Sequence, residues 1–188
     1  MKNTSTTLLL SALLLGASSA ASAAPLNAYL VVPGHRIGHT LLGSDSARTL
    51  ASLPKPTRSE GAASNRYYVW DAPAAHAQPP TLFVHAVTNG SLSFKPLDGV
   101  TIDTVRVTSP AFATQSGMHV GSTFAQILHQ FPHLRSVNLF KDPHTLYDDK
   151  ARGIAFEFAA HPKASSRALA VTVHTPGQAA RTTAADIN

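Results

Sequence analysis

The sequence predicts an α+β fold: two tandem units, each a helix followed by antiparallel strands, with the helices packed on the sheet. Two internal matches and one alternation carry that expectation. Leu42-Gly43-Ser44 through Pro54 aligns with Val120-Gly121-Ser122 through Pro132 at a spacing of 78, with Gly, Ser, Leu and Pro matched identically. Val105-Arg106-Val107-Thr108-Ser109-Pro110 aligns with Val171-Thr172-Val173-His174-Thr175-Pro176 at a spacing of 66, and both end in hydroxyl-Pro. Ile154, Phe156 and Phe158 share one face of an extended segment and Ala155 and Glu157 the other, the pattern of a half-buried antiparallel strand.

Taken in chain order, residues 1–23 read as a secretory signal. Lys2 precedes a short apolar stretch, small residues follow, and Ala21-Ser22-Ala23 offers the cleavage site. A bilayer takes about 20 apolar residues to cross, more than this stretch provides. No cysteine is present to carry a lipid anchor or a disulfide. The expected product is exported, periplasmic or extracellular, without a transmembrane segment or lipid anchor.

The first αβ unit spans residues 24–110. It has an opening strand at 28–32, a loop at 33–38, and a helix capped by Ser44 and stopped by Pro54. Extended segments follow at 66–70 and 81–87, separated by an Ala/Pro-rich loop over 71–80. Asn89-Gly90 and Asp98-Gly99 then supply turns. The second unit spans 111–176. Its helix is capped by Ser122, with Phe124, Ile127, Leu128 and Phe131 on one face, and strands are expected at 136–140, 145–148 and 153–158. Residues 177–188 are polar, alanine-rich and expected to be a flexible tail.

The order of strand, Val32-Pro33-Gly34 loop, Gly-Ser helix, proline and antiparallel strands is carried by Leu42 to Pro54, Gly117 to Pro132 and Leu146 to Phe158. It resembles the helix-plus-sheet repeat of the β-lactamase inhibitor protein and the small outer-membrane assembly lipoproteins of the SmpA/OmlA type. Two departures stand out: the inhibitor family is disulfide-bonded and the lipoproteins carry a lipidated cysteine, whereas this chain has no cysteine. The resemblance implies a module that presents a sheet surface to another macromolecule, with no active-site pocket of its own.

The formal charge of +5 includes Lys2, leaving +4 once the leader is removed. Its arginines and lysines are scattered singly, unlike the basic stripe of a nucleic-acid reader, so no nucleic-acid partner is expected. The ten histidines are the metal suspects. His35 and His39 are four apart, as are His129 and His133, a spacing that on a helix lets two rings share zinc or copper. The first pair lies in a Gly-rich loop and Pro132 interrupts the second, which favours no ligand. Gly43-Ser44-Asp45-Ser46 lacks the G-x-S-x-G elbow of a hydrolase, and Asp148-Asp149 reads as a solvated turn. Tyr67, Tyr68 and Trp70 share one strand, so alternation turns at least one ring outward, and exposed Tyr and Trp are frequent interface anchors. The expected function is therefore a non-enzymatic binding module with no cofactor, contacting a protein or envelope partner through Tyr68, Trp70, His35 and His39. The alternative is a histidine-dependent metal-binding protein or metalloenzyme.

Overall fold

Runs of β-branched and aromatic residues separated by glycine-bearing turns pair as strands, and here they account for nearly half of the described residues. The computed structural model describes residues 28–62, 65–71, 82–88, 100–137 and 144–180. Three short strands open it: β1 (Leu30–Val32), β2 (Arg36–Ile37) and β3 (Thr40–Leu41). Helix α1 (Ser46–Ala51) follows, then β4 (Arg58–Ala62), β5 (Asn65–Trp70), β6 (Leu82–Thr88) and β7 (Val100–Val107). After β8 (Ala113–Thr114) and helix α2 (Phe124–Gln130) come β9 (Arg135–Val137), β10 (His144–Asp149), β11 (Ile154–Ala159) and β12 (Ala170–His174).

The long strands form one eight-stranded antiparallel sheet in the order β4-β5-β6-β7-β12-β11-β10-β9. The short ones form a four-stranded sheet, β3-β2-β1-β8, in which β1 and β8 run parallel. One face of the large sheet carries the main core: Val84, Val105, Phe156, Phe158, Val171 and Val173 pack there with Ile127 and Phe131 of the α2 region.

This architecture corrects the expected α+β class with its two tandem helix-on-sheet units. Among the described residues strands hold 47% and helices 11%, and both Gly-Ser stretches sit against one continuous sheet. The physical reason lies in how late the helices begin. Gly43 and Gly121 adopt positive φ (72° and 95°), which ends the extended chain in a turn before any helix forms. Gly43 N–H donates to the Ile102 carbonyl and Ile102 N–H to Ser44. In the same way Gly121 donates to Ala168, and Ala168 to Ser122. Ser44 is thus tied to the backbone of β7 and Ser122 to the chain just before β12, and the caps are the next residues. Asp45 accepts from Arg48 N–H, and Thr123 makes a full capping box with Gln126. Helices of six and seven residues are left, too short to form a layer of their own.

Two further expectations change. The strand at 154–158 is buried on both faces, not half-buried, and Asp148 and Asp149 are buried as well. The start of the tail is docked: Ala180 is buried, and its N–H donates to Asp148 Oδ2 at 3.1 Å. Residues 1–23, 72–80, the two turn dipeptides and 181–188 lie outside the described residues.

Candidate functional site

The sheet face opposite the main core holds a row of buried charged side chains. A β-bulge begins it. Between His85 and Ala86 the register slips, so that His85 pairs with Thr104 and Ala86 with Ile102, leaving Asp103 as the extra residue. A bulge re-aims a side chain, and here it brings the Asp103 carboxylate onto His85 Nδ1, whose Nε2 lies 3.0 Å from Asn65 Oδ1. On β12, His174 Nε2 lies 2.9 Å from Asp148 Oδ1, and its Nδ1 lies 3.1 Å from the Thr175 carbonyl. Between these two pairs, Arg106 reaches diagonally across β12 and donates from Nε and Nη2 to Glu157 Oε2 at 3.1 and 2.6 Å. His144 Nδ1 lies 3.0 Å from the other Glu157 oxygen.

These groups resemble the raw material of acid–base catalysis, yet they are closed on one another. A general base needs an open nitrogen or carboxylate oxygen within reach of a substrate proton. Both nitrogens of His85 and of His174 already face partners inside the protein, and Arg106 is only 5% exposed. What the arrangement does is satisfy buried polar groups across a sheet covered on both faces.

The residues singled out from sequence fall in different places. Trp70 is 8% exposed, and its Nε1–H donates to the Pro54 carbonyl at 2.7 Å, which ties β5 to the chain leaving α1. Tyr68 is also 8% exposed. It belongs to the main core, although its edge lines a shallow cleft with Ser59, Glu60, Gly61 and Arg66. His35 and His39 are exposed in the turns at opposite ends of β2, so extended backbone and not a helical turn separates them. His129 lies in the last turn of α2 and His133 beyond its end, both exposed. Among the described residues no three His, Asp or Glu side chains converge as a group able to hold a metal ion.

A surface that sequence reasoning missed lies on the small sheet. Tyr29, immediately before β1, is 58% exposed, and its ring packs on Phe112 with centroids 5.6 Å apart. Its carbonyl accepts from Ala113 N–H at the start of β8, which fixes the backbone beneath the ring. Gly38 has φ +56°, and a Cβ there would lie 2.6 Å from the Ala28 carbonyl and 3.1 Å from Phe112. Glycine is therefore required for the β2–β3 turn to pass under this aromatic pair, and it sets exposed His39 next in the chain. The signal in the sequence is slight: one tyrosine inside the segment at 28–32 that reads as the opening strand, of which β1 takes up only Leu30–Val32.

One exposed ion pair is also well formed. Arg58 donates to both oxygens of Asp71 at 2.9 Å, and Thr57 Oγ1 donates to Asp71 Oδ2 at 2.8 Å. The Arg58 guanidinium first, and the Thr57 hydroxyl second, hold the Asp71 carboxyl down at about 2.

The fold and this surface define a cysteine-free, mostly-β module with a saturated polar face and an exposed aromatic patch. No family model and no curated protein matches the chain. Among solved structures it is similar to the uncharacterized protein yfeY from Escherichia coli, with a TM-score of 0.50 and 12% identity over 76% of this chain and 98% of that one. That similarity is one of fold. A second match is an extracellular protein containing an SCP domain from Bacillus anthracis, with a TM-score of 0.41 and 12% identity over 72% of this chain and 44% of that one. No helix among the described residues is long and apolar enough to cross a membrane.

Proposed function

We propose that the chain is an exported, non-enzymatic binding module that presents a sheet surface to a protein or envelope partner, with Tyr29 as its anchor. The observation that carries this is the exposed Tyr29 ring on Phe112, held by the small sheet. A half-exposed tyrosine on a rigid backbone supplies contact area at little entropic cost, which is why such rings dominate interface energetics. His39, beside the patch, and His35, at the far end of β2, border the surface and join the contact. Tyr68 contributes through the cleft edge it lines, whereas Trp70 acts from within by fixing β5. Export rests on the leader-like residues 1–23.

The test is capture from an envelope extract with immobilised wild-type protein beside a Tyr29→Ser variant, at neutral and mildly acidic pH. The expected result is a discrete partner retained by wild type and lost with Tyr29→Ser at unchanged thermal stability. Equal recovery by both proteins, or no partner at either pH, overturns the proposal.

A further inference from the structure

The large sheet is open, and β4 is its terminal strand on one side. Arg58, Ser59, Glu60 and Gly61 are all exposed there. Charges on an edge strand normally discourage pairing with other chains. Here their order matters. Arg58 and Glu60 point to the same face, two residues apart, with Ser59 between them. Antiparallel pairing of β4 with a second β4 sets one of its charged residues opposite another in three in-face registers, those centred on residue 58, 59 or 60. The first sets Arg58 against Arg58 and the last Glu60 against Glu60, and like charges directly opposite are destabilising. Only the register centred on Ser59 sets Arg58 opposite Glu60 of the second copy and Glu60 opposite its Arg58. A shallow cleft of about 300 Å³, lined by Ser59, Glu60, Gly61, Arg66 and Tyr68, leaves room beside the strand for an incoming side chain.

We infer that β4 is a self-pairing edge: two copies of this chain join antiparallel about Ser59, and two Arg58–Glu60 pairs select the register. The contact involves one five-residue strand from each copy. It buries far less than the ~1,600 Å² of a standard stable interface, so the dimer is weak and concentration-dependent. Arg58 bonds Asp71 through Nε and Nη2, so the pairing calls on its Nη1 as donor to the second copy. The inference stands apart from partner binding through Tyr29. A Glu60→Arg protein that remains monomeric yet still captures its partner separates the two.

Sedimentation velocity over a concentration series of the purified protein tests the pairing. The wild type is expected to dimerise as concentration rises. Glu60→Arg, which places arginines opposite one another, weakens association on the order of tenfold or more. An equimolar mixture of Glu60→Arg and Arg58→Glu is expected to form a heterodimer that neither forms alone, and raised salt weakens it. Circular dichroism checks the fold of each variant. If Arg58→Glu does not fold, Glu60→Arg alone decides. A wild type that stays monomeric up to millimolar concentration, a Glu60→Arg protein that dimerises like wild type, or a mixture of folded variants without heterodimer overturns the inference.

Discussion

Replacing Glu157 with leucine keeps most of the side-chain volume but leaves the Arg106 guanidinium buried without its carboxylate. Both side chains of the pair are about 5% exposed, and Glu157 accepts two bonds from Arg106 and faces His144 Nδ1. Removing one partner of a buried ion pair costs about 3–5 kcal/mol, because the remaining charge keeps its desolvation penalty and loses its compensation. In a chain of this size each kcal/mol moves Tm by roughly 2–4 °C, so Glu157→Leu lowers Tm by on the order of 10 °C. The double variant Arg106→Met with Glu157→Leu replaces both charges by apolar groups and recovers most of that loss. Urea denaturation followed by far-UV circular dichroism gives the two values. A single variant costing under about 1 kcal/mol, or a double variant no better than the single, refutes the claim that the far face is a buried, internally paired layer.

Other expectations follow from the same geometry. Thr123→Ala removes the capping-box hydroxyl at α2 and is expected to cost about 1 kcal/mol by the same denaturation measurement. Gly153→Ala meets φ +68° and a Cβ 2.3 Å from the His174 carbonyl, so it destabilises by more than about 2 kcal/mol or abolishes soluble expression. Asp71 titrates at about 2 when folded, below its ordinary 3.8, so its contribution to stability is complete above pH 4 and is lost as pH falls from about 4 through 2. Asp71→Asn flattens the stability-versus-pH curve in that window and leaves the curve above pH 5 unchanged in shape. Zinc or copper added to protein purified without a tag is expected to leave Tm unmoved.

The strands were legible because alternation and β-branched runs report directly on a pleated backbone: β5, β6, β10 and β11 fall within one or two residues of the segments read from sequence. The helices were read too long. The Gly-Ser pairs that look like helix entries instead close turns onto distant backbone, and nothing local in the sequence distinguishes a serine bonded to its own helix from one bonded to a remote segment. The polar layer was illegible for a different reason. His85 and Asp103 meet only because a bulge turns one extra residue, and Arg106 and Glu157 lie 51 residues apart on strands that are not neighbours. Asp148 looked like part of a solvated turn because its partners, His174 and Ala180, come 26 and 32 residues later. Alternation assumes one wet face and so turns Tyr68 or Trp70 outward, whereas residues 67–70 of β5 are buried on both faces.

A photo-crosslinking residue placed at position 29 in cells producing the full chain reads out contact at the Tyr29 surface. A discrete higher-mass adduct is expected at position 29 and none from the same residue placed at exposed Lys163. No adduct at position 29, or equal adducts at both positions, contradicts that contact.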